Sequence, residues 1–149
     1  MKKYFIILLF YCLFIYSSCS KNIINVCSDE LNIDLSKFKV ISKYNDYDFS
    51  LNGDGSAFLV FDCKNSAVAD DIKSKKSWMK FPLSKEAAYF AYNFDSEGKN
   101  IPEIKNGYYI LIDRQKQSTE NILDRNSFNL TLCIYDSDND LLYLWRLDT

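Results

Sequence analysis

The alternation of apolar and polar positions is clearest at the end of the chain. Phe128, Leu130, Leu132 and Ile134 alternate with Asn129, Thr131, Cys133 and Tyr135, the period-two signature of a β-strand with two unlike faces. Asp136 to Asp140 follows as a polar turn, and Leu141 to Leu147 returns as a second strand. Pairing Tyr135 with Leu141 sets Cys133 opposite Tyr143, Thr131 opposite Trp145 and Leu132 opposite Leu144. An earlier hairpin is predicted from Tyr47 to Leu51, a turn at Asn52-Gly53-Asp54-Gly55, and Ser56 to Cys63, because Asn-Gly and Asp-Gly supply the positive backbone angles of hairpin turns. Its returning run, Ala57-Phe58-Leu59-Val60-Phe61, is apolar on both faces, as expected of a strand covered on both sides. Lys37 to Lys43 alternates loosely and reads as an edge strand whose lysines discourage pairing. Gly107 to Arg114 reads as a further strand, rich in β formers at Tyr109-Ile110-Leu111-Ile112.

The helical period appears most clearly over Ser84 to Phe94. Ser84 suits an N-cap, Glu86 falls in the first turn, and Ala87, Phe90, Ala91 and Phe94 recur at three and four to form one packing stripe. A shorter helix is predicted for Ser66 to Lys76, with Ser66 as cap, Val68 and Ile72 on one face, and lysines at its C-terminal end. Asp95 to Ile104 reads as a loop, and Gln115 to Asn126 as a loop or a short helical turn. Residues 21–36 show no sustained period and are expected to be a tether. The pattern therefore predicts one α+β domain over residues 37–149, an antiparallel sheet built from two hairpins with one main helix on a face.

The first twenty residues follow a different rule. Lys2 and Lys3 give a positive start, Tyr4 to Tyr16 an almost unbroken apolar run, and Ser17-Ser18-Cys19-Ser20 a small polar finish, the layout of an export signal. The segment resembles a bacterial lipoprotein signal on the box Tyr16-Ser17-Ser18-Cys19, in which the two small residues and the cysteine match while Tyr16 stands where an aliphatic residue is usual. The resemblance covers the leader alone. It implies acylation of Cys19, palmitate included, and Ser20 resembles the outer-membrane sorting rule. Ordinary cleavage after Ser20, leaving a soluble periplasmic or secreted protein, is the alternative. The apolar run is shorter than the ~20 residues that span a bilayer, so an uncleaved anchor ranks last.

Composition narrows the function classes. With Lys2 and Lys3 removed, the 18 basic residues fall to 16 against 20 acidic ones, and no basic block exceeds Lys75-Lys76, which argues against nucleic acid. Histidine is absent, which removes Ser-His-Asp and Cys-His catalysis together with the commonest transition-metal ligand. Outside the leader, Cys27, Cys63 and Cys133 lack C-x-x-C spacing, so no metal or other cofactor is expected on them. In an oxidising compartment they predict one disulfide and one remaining thiol, with Cys27 to Cys63 favoured and Cys63 to Cys133 as the rival.

Three further motifs suggest chemistry. Asp136-Ser137-Asp138-Asn139-Asp140 resembles the start of a calcium loop, but Leu141 replaces the required Gly and Leu147 the bidentate Glu. Ser36-Lys37-Phe38-Lys39 and Ser77-Trp78-Met79-Lys80 satisfy S-x-x-K without the companion motifs that give it meaning. Glu86, Glu97, Glu103 and Glu120 supply acids for a carboxylate-dependent hydrolase, the third-ranked reading.

What remains is aromatic content, which favours a non-enzymatic binding protein. Tyr135, Asp136, Asp138, Tyr143 and Trp145 are the residues expected to meet a protein partner, and loop acids beside aromatics suit a basic one. The function expected is that of a small lipid-anchored protein facing the periplasm, an immunity protein or inhibitor of a toxin or hydrolase, with a structural or envelope-assembly lipoprotein as the alternative.

Overall fold

The computed structural model describes residues 22–47, 54–64, 66–94, 100–115 and 119–149. The chain divides after Leu35 into two compact units. The first contains a helix that the sequence pattern did not reveal, α1 (Ile23–Leu31). Asn22 caps it by accepting the Ile24 N–H at 3.1 Å, and Asn32, in the left-handed region at φ 52°, ends it. Only Cys27 and Leu31, four residues apart, are buried along it. So short a stripe, set among Asn, Asp and Ser, looks aperiodic in sequence, and the segment expected as a tether contains a capped helix.

The second unit is a six-stranded antiparallel sheet with short helices. The strands are β1 (Lys39–Asn45), β2 (Gly55–Asp62), β3 (Met79–Lys80), β4 (Gly107–Asp113), β5 (Asn129–Asp136) and β6 (Leu141–Asp148), in spatial order β1-β2-β6-β5-β4-β3. After β2 the chain passes through α2 (Val68–Ser74) to the far edge of the sheet, where β3 forms. From there β4, β5 and β6 lie side by side and return to β2. All five strand pairs are antiparallel.

The connection from β3 to β4 carries α3 (Lys85–Ala88), which continues as a π-helical turn over Tyr89–Asn93. Ser84 caps it by accepting the Ala87 N–H at 3.2 Å, as the sequence predicts. Its stripe is also as predicted: Ala87 and Phe90 are buried, and Ala91 and Phe94 pack beside them. They cover the sheet face formed by Phe58, Val60, Tyr109, Leu130, Leu132, Ile134, Tyr143, Trp145 and Leu147. Phe90, Phe94, Phe128 and Trp145 meet there with ring centroids 5.2–6.2 Å apart, mostly edge to face. Residues of the opposite parity, Ala57, Leu59, Phe61, Cys133, Leu142 and Leu144, are also buried, so the central strands are covered on both faces.

Three features differ from the sequence expectation. First, β2 pairs with β1, register Asn45↔Ala57, and Tyr47 lies outside any strand, while residues 48–53, including the Asn52-Gly53 turn, fall outside the described residues. Second, the last hairpin is shifted by one residue: Tyr135 faces Leu142, Cys133 faces Leu144, Thr131 faces Arg146 and Leu132 faces Trp145. Asp136 belongs to β5 and pairs with Leu141, so the turn has one residue fewer, with Asp140 at φ 54° closing it. This register places Tyr143 and Trp145 on the same face as Leu132 and Ile134. Third, Met79–Lys80 makes a strand too short for any periodicity to mark.

Candidate functional site

The residues expected to meet a partner divide by burial. Trp145, Tyr135, Asp136 and Tyr143 are all buried, and only Asp138 of that set is exposed. Tyr143 and Trp145 belong to the core under α3, where the corrected register puts them. This corrects the expectation that they form a docking surface.

The β5–β6 turn is occupied by its own hydrogen bonds. Asp136 Oδ1 accepts the N–H groups of Asp138 at 2.9 Å and Asn139 at 3.3 Å, and its Oδ2 accepts from Asn139 Nδ2 at 2.7 Å. Tyr135 donates its hydroxyl to Asp140 Oδ1 at 2.7 Å, and Asn106 Nδ2 donates to both carboxylate oxygens of Asp138. Burial, followed by the Asp140 contact, raises the Tyr135 phenol above its ordinary pKa. The Asp136 and Asp140 carboxylates bind the loop and its flanking tyrosine, the exposed Asp138 binds Asn106, and no set of three or more acidic or sulfur ligands that could hold a metal occurs among the described residues.

Cys27, Cys63 and Cys133 are buried thiols, with no disulfide among them. The register rules out the rival pairing. Cys63 lies one residue past the Asp62↔Leu141 pair and Cys133 opposite Leu144, with β6 between their strands. Such positions are on the order of 15 Å apart, against the < 7 Å between Cα atoms that a disulfide needs. The Cys63 thiol donates toward the Phe61 carbonyl, 3.9 Å away. Burial, then the charges of Asp62 and Asp140, pushes the Cys63 thiol up to about 12. A thiol so protonated is a poor nucleophile.

At the opposite end of the sheet lies a polar cluster that the sequence pattern gave no reason to assemble. Arg114 donates to Asp148, to Thr131 and, at 3.1 Å, to the Leu147 carbonyl. Tyr47 donates to Asp148 Oδ2 at 2.7 Å and Arg146 Nε lies 3.3 Å from the same oxygen. Burial and the Asp148 hydrogen bond raise the Tyr47 phenol above its ordinary value. Arg125 pairs with Asp113 at 2.8 Å nearby. Donors from the residue after β4, from β6 and from the segment after β1 converge on Asp148, so the cluster fastens the strand ends together. Of the candidate hydrolase acids, Glu103 and Glu120 are exposed, Glu86 stands in the first turn of α3, and Glu97 lies outside the described residues. The serine–lysine motifs fall on exposed positions of the turn before β1 and of β3.

The surface feature that stands out is the connection from β3 to β4. Phe81, Pro82 and Leu83, which follow β3, face Ala88 and Tyr92 of the helical segment and Glu103, Ile104 and Lys105 of the run into β4, enclosing an open groove of about 500 Å³. Its walls are tied to the sheet. The Phe81 N–H donates to the Gly107 carbonyl at 3.1 Å, Ser84 N–H to the Tyr109 hydroxyl at 3.0 Å, and Ile104 N–H to the Tyr92 hydroxyl at 3.3 Å. Phe81 packs edge to face on Tyr109, centroids 6.1 Å apart. Gly107 is required at the junction, since a Cβ there would come within 1.9 Å of the Tyr135 carbonyl oxygen. Tyr92 on the groove wall and Met79 of β3 are exposed by 42 and 44%; Tyr89 of the helical segment and Ile41 and Tyr44 of β1 are also exposed. Compared with models of known protein families, with curated proteins and with solved structures, the chain matches none.

Proposed function

We propose that this chain is an exported, non-enzymatic binding protein, held at the outer membrane through acylated Cys19 and facing the periplasm, where it binds and blocks another protein in the manner of an immunity protein or inhibitor. The observation that carries the reading is the open β3–β4 groove, with exposed Tyr92 on its wall and exposed Met79 on the strand that leads into it, in a molecule whose Phe90, Phe94, Phe128 and Trp145 rings are consumed by the core. Exposed apolar area beside a preformed groove is the usual mark of a protein-interaction surface. The leader supports the address: Lys2-Lys3, the apolar run to Tyr16 and Ser17-Ser18-Cys19 have the order that lipoprotein export requires.

The test of the address is intact mass of membrane and soluble fractions from cells making the native chain and Cys19→Ser. The reading expects an acylated species beginning at Cys19 that the substitution abolishes. A soluble species beginning at Lys21, indifferent to the substitution, would remove the anchor and leave a diffusing binder. The same spectra report whether Cys27 and Cys63 oxidise, since a disulfide removes two hydrogens, on the order of 2 Da.

A further inference from the structure

Around the groove the charge has one dominant sign. Residues 73–85 read Lys-Ser-Lys-Lys-Ser-Trp-Met-Lys-Phe-Pro-Leu-Ser-Lys, five lysines without one acid, in a chain whose formal net charge is −2. Lys76, Lys80 and Lys85 are exposed, and Lys105 is an exposed residue of the groove wall. Among the described residues, the acids near it are Glu103, on the same wall, the half-buried Glu86, and Asp138, held by Asn106 next to Lys105. Among the described residues, exposed Lys76, Lys80, Lys85 and Lys105 therefore outnumber the acids around an apolar depression.

The backbone adds a second element. Met79 pairs with Tyr109, and Phe81 donates to Gly107, so the alternation of an antiparallel ladder turns the N–H and C=O of Lys80 away from β4. β3 is the last strand of the sheet on that side. Its outward edge adjoins the exposed Met79 side chain and the Phe81 end of the groove. Lysines along an edge deter uncharged strands, because pairing would strip water from unpaired ammonium groups. An acidic strand supplies the countercharge and removes that penalty.

We infer that the β3 edge and the adjoining groove bind an extended acidic segment of the partner protein, with one large apolar side chain seated among Phe81, Leu83, Ala88, Tyr92 and Ile104 and its carboxylates against Lys80, Lys85 and Lys105. The inference rests on the binding-protein reading and gives its partner a chemistry, the reverse of the basic partner that the β5–β6 acids suggested. Main-chain bonds to Lys80 supply alignment, the groove supplies the anchor, and the lysines select sign.

The experiment is selection of an unbiased library of displayed 12-residue peptides against the full chain and, in parallel, against the triple variant Lys80→Glu, Lys85→Glu, Lys105→Glu, whose folding is checked by its thermal melt. The expected result is enrichment of acidic peptides carrying a large apolar residue. Their affinity should fall at least about tenfold in the triple variant and weaken with salt as exposed charges are screened. Peptides enriched equally on both proteins, or basic ones, would overturn the inference while leaving a binding protein with another surface. No enrichment on the parent would overturn it outright, and the Cys19 mass test would still report on the address.

Discussion

The β5–β6 turn and the β3–β4 connection both set charged side chains beside aromatics, yet they present opposite surfaces. In the turn, the Asp136 and Asp140 carboxylates accept bonds from their own loop or from Tyr135, and the tyrosine is buried. In the connection, Tyr92 accepts one backbone N–H and still exposes 42% of its surface beside an open groove. Composition alone ranks the turn first, since it is denser in acids. What separates the two is whether side chains are already engaged within the fold, a property that depends on register and on distant residues.

Substitutions sharpen that contrast, beginning with the largest effect. Trp145→Ala removes a buried ring in contact with Phe90 and Phe94 and is expected to destabilise by about 3–5 kcal/mol in chemical denaturation. A loss below about 1 kcal/mol would mean that Trp145 is not core. Gly107→Ala forces a Cβ against the Tyr135 carbonyl oxygen, and overpacking of this kind costs about 1–3 kcal/mol or more, read as a lowered midpoint. Asp136→Ala removes the buried carboxylate that accepts from Asp138 and Asn139 and holds the turn, with an expected cost of about 1–3 kcal/mol. Exposed Lys80→Glu should leave the melt unchanged, its effect appearing in peptide affinity alone.

Alkaline pH gives a fifth test. The Cys63 thiol, ordinarily at 9.0, is raised to about 12 in the folded protein, so between those values the unfolded chain has lost a proton that the folded chain keeps. Stability is therefore intact below pH 9 and declines as pH rises toward about 12, the sign required when the folded state binds more protons. Tyr47 and Tyr135, also raised, add to the decline above their ordinary value of 10.0. Cys63→Ala should flatten the part of the slope nearest pH 9; an unaltered slope would mean that the thiol is not held protonated by the fold.

The strands and the capped helix were legible because their signals are local: alternation over Phe128 to Tyr135, a serine three residues ahead of Ala87, and β formers after Gly107. The register differs by one residue because Asp136, whose carboxylate acts in the turn, pairs through its backbone in β5. Helix α1 was hidden by its short stripe, and β3 by a length of two residues. The groove was not legible at all. Its walls come from residues 81–83, 88–92 and 103–105, which in sequence read as a helix stop, a core stripe and a loop. Only the strand order, which carries β3 across the sheet before β4 returns beside it, brings them together.

The most direct test of this account is a map of backbone amide shifts in the isotope-labelled full chain as the best acidic peptide from the selection is added. The account predicts saturable shifts at Lys80, Tyr92 and Lys105, with Asp138 and the β5–β6 turn unmoved. Shifts centred on Asp138 and its neighbours, with the groove silent, would contradict it and return the docking surface to the acidic turn.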